Sequence, residues 1–420
     1  MTYTTGRTDA ETDSRSRFER QENPGEFPMS PRNRKHLVLV GGGHAHMTTL
    51  RDLDQITGVG HRVTLISPSA YQYYSGMGPG LLSGFYRPGE TRVNIRKMAE
   101  GRGGDFVPDR VVRVSPRERA LYLEGGASVG YDVVSFNTGS RIRDEVAVRN
   151  CPRVYPVKPI ENLVRARQTL LAEPGPSPWR LVVLGGGPAG TEIAANLWRL
   201  CAEAGIPRDI TLVAGERLLA GAPPRVRALA LESLRSRNIH VLEATRARRI
   251  EPGEIVLETG RILDYDLAFS AVGVRPSPLF EESGLPTGPD GGLLVDSTLR
   301  CTAHREIFGG GDCISLRGTT LARVGVMAVR QNPVLYHNLA AALDGRPLKP
   351  FRPGGGYMLI LNMGDGRGIL WRNGLVLAGS WVFRMKDFID RRFMERFQVS
   401  GELQEPFEPE DPLEKIRERR

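Results

Sequence analysis

Residues 37–46 read LVLVGGGHAH, and residues 181–190 read LVVLGGGPAG. Each stretch is a short apolar run that ends in three glycines and leads into a segment of helical character. A strand that turns through glycines into a helix lets the backbone approach a pyrophosphate, and the helix N-terminus offers that anion free N–H groups. One such motif is weak evidence, but two copies 144 residues apart predict two bound dinucleotides, an arrangement suited to hydride transfer between cofactors.

Length and composition set the broad class. A chain of 420 residues can bury large cores and predicts two or three domains. The net charge is +9, but acids are interspersed with the bases, which favours an arginine-rich globular protein and no nucleic-acid partner. No apolar stretch reaches the ~18 residues that span a bilayer. Residues 1–34 lack the apolar core of a signal peptide, and we expect a disordered tail.

The four cysteines form no C-x-x-C pair and match no zinc-site spacing. We therefore predict no metal site, and a reduced, cytoplasmic location fits best. The same absence argues against disulfide reductase chemistry, which needs a redox cysteine pair beside a flavin.

Alternating strand and helix patterns predict a doubly wound parallel sheet in each of two units. The segment at 71–80 is rich in glycine, and we expect a loop there. The predicted elements of the first unit are strand 37–40, helix 44–55, strand 62–66 and a meander within 105–135. Those of the second unit are strands 181–184, 210–213, 238–243, 254–258 and 266–271 and helices 188–203 and 223–236. A helix at 324–343, hairpin pieces at 357–362 and 368–377 and a last helix at 380–397 follow.

Four features occur in an order that resembles the flavoproteins with two dinucleotide-binding domains, the pyridine nucleotide-disulfide oxidoreductase superfamily. They are the turn at 41–46, Asn137-Thr138-Gly139, the turn at 185–190 and the stretch 308–312, which reads FGGGD. The resemblance covers residues 35–345. It implies that the first turn binds the FAD pyrophosphate, that Asp312 contacts the ribityl and phosphate region, and that the second turn binds NADH or NADPH.

The resemblance also implies a domain plan in which the NAD(P)H domain is inserted within the FAD domain. We expect a tail (1–34), the first part of the FAD domain (35–157), the NAD(P)H domain (158–272), the second part of the FAD domain (273–355), a short C-terminal α+β piece (356–400) and a charged tail (401–420).

The expected cofactor contacts follow the same plan. For FAD they are Gly41, Gly42, Gly43, His44, Ala45, His46, Ser67, Met77, Pro79, Val111, Thr138, Gly139, Gly311 and Asp312. Gly273 is expected at a cofactor without assignment to either nucleotide. For the second nucleotide they are Gly185, Gly187, Pro188, Ala189 and Gly190. The acid that usually binds each ribose is missing. Ser67 stands in the first unit, and Ala214 in the second, with Glu216 and Arg217 close behind, so the choice between NADH and NADPH stays open.

Two residues are candidates for catalysis. Glu192 lies on the first turn of the helix after the second glycine turn, where type II NADH:quinone dehydrogenases carry an acid close to the meeting point of nicotinamide and flavin. The alternative is a surface acid that the helix dipole stabilises. Gln331 matches a glutamine of their quinone-site helix, but Val326 replaces the earlier glutamine, which weakens a quinone as the acceptor.

The chain resembles two groups within the superfamily. One is the type II NADH:quinone dehydrogenases, and the other is the flavoprotein module associated with selenide, water dikinase. The second resemblance rests on residues 74–80, 326–331 and 386–394. We expect an FAD-dependent NAD(P)H oxidoreductase with a small-molecule acceptor such as a quinone. The alternatives are a flavin-bearing sensor or partner protein linked to selenium metabolism and, less favoured on its cysteines, a sulfide:quinone-type enzyme.

The last predicted helix, 380–397, carries an apolar stripe at helical spacing and several arginines. The stripe consists of Val382, Met385, Ile389, Phe393 and Phe397. Such a helix can lie on an anionic membrane, which would place the protein at the inner face of the cell membrane. The alternative is that the stripe packs on the flavin domain.

Overall fold

The computed structural model describes residues 34–142, 147–148, 151–172 and 177–406. The tail predicted at 1–34 lies almost wholly outside the described residues. The first part of the chain forms β1 (His36–Val40), α1 (Met47–Arg51), α2 (Asp54–Thr57), β2 (Arg62–Ile66), β3 (Tyr71–Tyr73), α3 (Gly78–Leu82), β4 (Arg92–Asn94), α4 (Ile95–Glu100), β5 (Asp105–Val107), β6 (Val111–Ser115), β7 (Ala120–Leu123), β8 (Ser128–Gly130), β9 (Val133–Phe136) and β10 (Arg141–Ile142).

The middle of the chain forms a second run of strands and helices. It consists of β11 (Ala147–Val148), β12 (Val154–Pro156), α5 (Glu161–Ala172), β13 (Trp179–Leu184), α6 (Pro188–Ala204), β14 (Arg208–Val213), α7 (Pro224–Arg235), β15 (Ile239–Leu242), β16 (Ala247–Glu251), β17 (Glu254–Leu257), β18 (Ile262–Asp264), β19 (Leu267–Ser270) and β20 (Val274–Arg275).

The remaining elements return to the first unit and then leave it. They are α8 (Leu279–Glu282), β21 (Leu293–Val295), β22 (Ile307–Gly309), β23 (Ile314–Leu316), α9 (Gly325–Asp344), β24 (Leu359–Asn362), β25 (Gly368–Arg372), β26 (Leu375–Gly379) and α10 (Ser380–Phe397).

The first sheet is parallel and has the strand order β22-β9-β1-β2-β5. Val40 at the end of β1 pairs with Ile66 on one side and with Phe136 on the other. The strand β22 follows the second unit in sequence but pairs with β9 of the first sheet. The second unit is therefore an insertion in the first. Residues 37–40 are all buried, because a parallel sheet is covered on both faces.

The second sheet is also parallel, with the order β12-β19-β13-β14-β15. It begins at Val154, a few residues before the boundary predicted at 158. The predicted α/β class with two dinucleotide-binding folds is confirmed. The short antiparallel pair β10–β20 joins Arg141 to Arg275 at the point where the chain enters and leaves the insertion.

The prediction of a loop at 71–80 is wrong. The strand β3 pairs with β4, and α3 follows a short 3₁₀ turn. Pro79 suits the first turn of a helix, where its missing N–H is not needed. The glycines there reflect close packing: a Cβ on Gly80 would lie 2.5 Å from the ring of Tyr86.

The helix predicted at 44–55 is broken into a 3₁₀ turn at His44–His46 followed by α1 and α2. Asp52 lies at the break with a φ of −107°, and its carboxylate accepts from the Arg51 guanidinium at 2.6 Å. Aspartate favours helix ends over helix interiors, which accounts for the interruption.

The C-terminal piece connects the two units. Strands β24, β25 and β26 form an antiparallel sheet, and Leu361 and Ile369 belong to the hydrophobic core of the second unit. Met394 and Phe397 of α10 belong instead to the core of the first unit. The short C-terminal α+β piece therefore packs across the junction of the two nucleotide-binding folds.

The start of the charged tail expected at 401–420 is described as far as residue 406, and it packs against the first unit. Glu402 is buried, and its carboxylate accepts from the backbone N–H of Asn94 at 3.1 Å. Glu405 accepts from the Asn94 amide at 2.7 Å and from Lys97 at 2.7 Å. These contacts attach the segment 402–405 to β4 and α4. Residues 407–420 lie outside the described part.

The turn after β24 gives a test of this docking. Gly364 and Gly366 both have a left-handed φ, +73° and +79°. A Cβ at Gly364 would lie 2.3 Å from the carbonyl oxygen of Ala195 in α6, whereas a Cβ at Gly366 would meet nothing within 4 Å. We expect Gly364→Ala to cost roughly 3 kcal/mol and Gly366→Ala about 1 kcal/mol. Thermal unfolding would show this, and equal Tm losses would contradict the packing.

Candidate active site

The first glycine turn has no room for side chains. Gly41 has a φ of +82°, and a Cβ there would lie 2.5 Å from the carbonyl oxygen of Asn137. A Cβ at Gly43 would lie 2.7 Å from the Asn137 side-chain oxygen. The turn is thus pressed against the segment that follows β9, and its backbone is left to face a ligand.

His46 is fully buried, and its ring connects the first glycine turn to the neighbouring strand. Its Nδ1 lies 2.6 Å from the carbonyl oxygen of Gly41, and its Nε2 lies 2.8 Å from the Ser135 hydroxyl on β9. Burial lowers the pKa of His46 to about 4. The ring is therefore neutral at physiological pH, and it bonds within the protein.

His44 is placed differently. Burial lowers its pKa to about 4, and its ring lies 5.3 Å from that of Tyr74. The Nε2 atom is buried and has no hydrogen-bond partner among the described residues. A neutral imidazole with one free nitrogen next to the glycine turn is available to a bound ligand.

Asp312 lies at the far end of the same sheet edge, after β22. Its Oδ2 accepts from Lys158 Nζ at 2.7 Å and from the Ser140 hydroxyl at 2.7 Å. Burial alone would raise the pKa of Asp312, but Lys158 and Ser140 hold it below its ordinary value. A fixed anion with a paired lysine thus stands opposite the glycine turn.

Gln331 of α9 is fully buried. Its Oε1 accepts from the backbone N–H of Gly311 at 2.6 Å, so the carbonyl end of this side chain orients the turn that carries Asp312. Its Nε2 has no hydrogen-bond partner among the described residues, and the same is true of Asn137 Nδ2.

The other residues expected at the first nucleotide occupy varied positions. Buried ones are Gly42, Ala45, Ser67, Met77, Pro79 and Val111, and partly or fully exposed ones are Thr138, Gly139 and Gly311. Gly273, expected at either cofactor, is exposed and follows β19 of the second sheet. The Ser67 hydroxyl donates to the carbonyl of Ser69 at 3.0 Å. Val111 packs in the core at the start of β6, which leaves its backbone for any contact.

These observations test whether the residues present suit FAD. The two crowded glycines form a turn that a Cβ would fill. Three buried polar atoms around it have no hydrogen-bond partner in the described ranges: His44 Nε2, Asn137 Nδ2 and Gln331 Nε2. Buried polar groups are nearly always hydrogen-bonded. The edge of the first sheet therefore fits a large polar ligand, and a flavin dinucleotide satisfies these requirements.

The second glycine turn packs closely against the sheet on one side and is open to solvent on the other. A Cβ at Gly185 would lie 2.4 Å from the carbonyl oxygen of Ala271, and one at Gly190 would lie 1.8 Å from that of Gly185. In contrast, a Cβ at Gly187 would meet nothing, and Gly187, Pro188 and Ala189 are exposed. The N-terminus of α6 has no side-chain cap, which suits an anion.

Glu192 of α6 points into the junction of the three pieces of the chain. Its Oε1 accepts from the backbone N–H of Asn362 in β24 at 2.8 Å. Burial raises the pKa of Glu192 to about 7, against the lowering effect of Lys386 and of the Asn362 N–H. Glu192 is half-buried and bonded to another part of the chain, which argues against a freely solvated surface acid. A carboxyl group with this pKa can hold or release a proton near neutral pH.

Lys386 and Asp390, which we did not predict as site residues, complete this junction. Both are buried on α10, and Lys386 Nζ lies 2.5 Å from Asp390 Oδ2 and 2.7 Å from the Gly76 carbonyl. Burial raises the pKa of Asp390 although Lys386 opposes it, and the Tyr74 hydroxyl bonds to its carboxylate. Two opposite charges four residues apart in a helix were the available sequence signal.

The predicted apolar stripe of the last helix is partly wrong. Val382 and Phe397 are buried in the protein, and Phe393 stacks on Tyr74 with 4.5 Å between ring centroids. Ile389 of the stripe is exposed. The solvent-facing side of α10 carries a different apolar set, in which Trp381 is 48% exposed and Phe388 is 66% exposed.

None of the helices in the described part of the chain combines the length and the apolar character needed to cross a bilayer.

Comparisons with known proteins agree with this architecture. The chain is 26% identical to an alternative NAD(P)H-ubiquinone oxidoreductase of Arabidopsis thaliana, over 78% of this chain and 71% of that protein. It is 29% identical to a demethylphylloquinone reductase of Synechocystis, over 76% and 82%. The fold matches the sulfide:quinone oxidoreductase structure from Aquifex aeolicus with a TM-score of 0.71 at 17% identity, over 87% and 92%.

Two parallel sheets, the second inserted in the first and each with a glycine turn at its carboxyl edge, define an α/β protein that binds two dinucleotides. The model of the pyridine nucleotide-disulphide oxidoreductase family matches residues 35–337, and the chain belongs to this family. It is accordingly an oxidoreductase whose cofactors are FAD and NAD(P)H.

The pKa of Glu192 predicts a pH dependence of stability. Its value is about 7 in the fold and 4.5 for the free side chain, so the folded protein binds this proton more tightly. The resulting stabilisation is complete below about pH 4.5 and is lost as the pH rises through about 7. Relative to Glu192→Gln, the wild type should gain Tm as the pH falls from 7.5 to 5.

The exposed Glu232→Gln on α7 serves as the control for that measurement. Its Tm difference from the wild type should stay constant over the same range. A constant difference for Glu192→Gln as well would show that the carboxyl group ionises in the ordinary way.

Proposed function

We propose that this protein oxidises NADH or NADPH and passes the reducing equivalents through FAD to a small-molecule acceptor, with a quinone as the leading candidate. The observation that carries the proposal is the meeting of both units at Glu192. Glu192 follows the second glycine turn closely in sequence, and Lys386 and Asp390 lie near it. Lys386 contacts the Gly76 carbonyl and Asp390 contacts the Tyr74 hydroxyl, both in the first unit. Groups that can exchange protons thus lie between the two nucleotide sites.

Bound FAD supplies the hydride and electron transfer chemistry in this proposal. The residues of the chain bind and orient. The Gly41 and Gly185 N–H groups donate to the Ile66 and Val213 carbonyls, so the turns would offer the N–H groups of residues 42–43 and 186–187 to the two pyrophosphates. Asp312, fixed by Lys158, lies on the same sheet edge as the first turn. Glu192 holds or releases a proton at its carboxyl group near neutral pH.

The case for a quinone rests on relatives. The Arabidopsis protein is named for NAD(P)H and ubiquinone, and the Synechocystis protein for demethylphylloquinone. Gln331, which we expected at a quinone site, uses its carbonyl oxygen on the Gly311 N–H. We therefore propose that Gln331 positions the turn at 310–312, and that its Nε2, which bonds to no residue in the described part of the chain, is the atom left for a ligand.

Anaerobic mixing tests the proposal. The purified protein should be yellow, and NADH or NADPH should bleach the flavin absorbance. A menaquinone or ubiquinone analogue should then restore the colour faster than buffer alone. Bleaching by neither nucleotide would overturn the proposal, and reoxidation that no quinone accelerates would remove the quinone as the acceptor.

We also propose that the solvent-facing side of α10 contacts an anionic membrane surface, which would place a cytoplasmic protein at the inner face of the membrane. Trp381, Phe388 and Ile389 are exposed there, and exposed arginines, Arg384, Arg392 and Arg396, lie on the same helix. Apolar side chains next to bases suit the interface of an anionic bilayer. Glu395 is an exposed acid on the same helix, and its negative charge reduces the positive charge of these arginines.

A pair of variants tests the membrane proposal. The double variant Trp381→Ser/Phe388→Ser should weaken binding to vesicles rich in phosphatidylglycerol by roughly 10- to 100-fold. About half of each side chain is exposed, so burying that part would contribute about half of the ~1.5–3 kcal/mol of a fully buried large side chain. Ile262→Ser, which changes a 55% exposed side chain of the second unit, is the matched control. Equal cosedimentation of both variants with vesicles would contradict the assignment of this face.

A further inference from the structure

The end of β14 determines where the adenosine ribose of the second nucleotide can lie. In a dinucleotide-binding fold the ribose sits beyond the carboxyl end of the second strand, next to the glycine turn. Here Val213 pairs with Leu184, and the Gly185 N–H donates to the Val213 carbonyl at 2.8 Å. Position 214 is the first beyond this strand, and its Cβ lies 2.6 Å from where a Cβ of Gly186 would stand.

Position 214 cannot recognise a ribose hydroxyl with its side chain. Ala214 is an alanine and is buried, whereas a hydrogen bond to the 2′-OH of NADH needs a carboxylate there. The acid of the neighbouring strand is also engaged. Glu243 accepts from Arg227 at 2.7 Å and from the Leu218 N–H at 2.7 Å, so it fixes the loop after β14.

Two arginines flank the same turn. Arg217 is exposed, and its guanidinium donates to the carbonyl of Ala220 at 3.2 Å. Arg246 reaches the turn from the neighbouring segment, where the Thr245 N–H donates to the Gly215 carbonyl at 2.8 Å. The Arg246 Nε lies 3.5 Å from the position that a Cβ on Gly215 would occupy. Neither guanidinium forms an ion pair with any residue that the structure describes.

Two guanidinium groups and two exposed acids lie around this turn. Glu216 lies between Gly215 and Arg217, and Glu258 donates its backbone N–H to the Arg246 carbonyl at 2.9 Å. A 2′-phosphate carries close to two negative charges and several acceptor oxygens, which suit arginine forks. A plain ribose hydroxyl offers neither.

We propose that the second site selects a nucleotide with a 2′-phosphate, so that the donor is NADPH rather than NADH, with Arg217 and Arg246 as the residues that bind the phosphate. This rests on the proposed function, because it assigns a preference to the site where that function places the donor.

Calorimetry with nucleotide fragments tests this without flavin chemistry. The holoprotein is titrated with adenosine 2′,5′-bisphosphate and with 5′-AMP at one fixed ionic strength. Because hydrogen bonds to charged groups contribute about 1.5–3 kcal/mol each, we expect the bisphosphate to bind at least tenfold more tightly. Equal affinities, or tighter 5′-AMP, would overturn the preference and leave the proposed function standing. Binding of neither fragment would instead count against the second site itself.

Variants separate the two arginines from general charge. Arg217→Gln and Arg246→Gln should each weaken the bisphosphate by about five- to tenfold and leave 5′-AMP unchanged. Arg261→Gln, an exposed arginine on another edge of the same unit, is the matched control and should change neither. Ala214→Asp should bring the two fragments to within about threefold of each other, since it supplies an acid at the strand end. Parallel losses in all three arginine variants would show unspecific attraction and overturn the assignment.

Discussion

The close approach of backbone to backbone at the glycine turns is the constraint on which the rest of the structure depends. A Cβ added at Gly41 would lie only 2.5 Å from a backbone carbonyl oxygen, and one added at Gly185 would lie only 2.4 Å from another. Both carbonyls belong to the segment after the neighbouring strand of the same sheet, at Asn137 and Ala271. A side chain at either position would push the turn away from the neighbouring strand, whereas glycine lets the N–H groups at the helix start face a ligand together.

The two turns are built on the same plan but are supported differently. His46, where a third glycine is usual, joins the Gly41 carbonyl to Ser135 on β9 through its two ring nitrogens. In the second turn Gly190 stands at that place, and a Cβ would lie 1.8 Å from Gly185. A buried side chain thus bridges helix and sheet in the first unit, whereas direct contact does so in the second.

The C-terminal piece contacts both nucleotide-binding folds at their junction. Burying Lys386 and Asp390 in α10 is costly unless they pair, and they are close enough to do so, with Tyr74 and the Gly76 carbonyl as further partners. The Asn362 N–H fixes Glu192 from the other side. Charged groups that would be a solvated surface on an isolated helix thereby become part of the junction between the units.

The sequence alone determined the class of protein, since glycine turns after buried strands depend on local rules of backbone geometry and recur in a readable order. It also determined most strand positions, because parallel strands buried on both faces are continuous apolar runs. Only the tertiary structure decided the fate of residues 71–80, whose glycines pack against rings such as Tyr86. It likewise decided which side of α10 faces inward and what surrounds Glu192, since burial and pairing depend on residues more than 150 positions away.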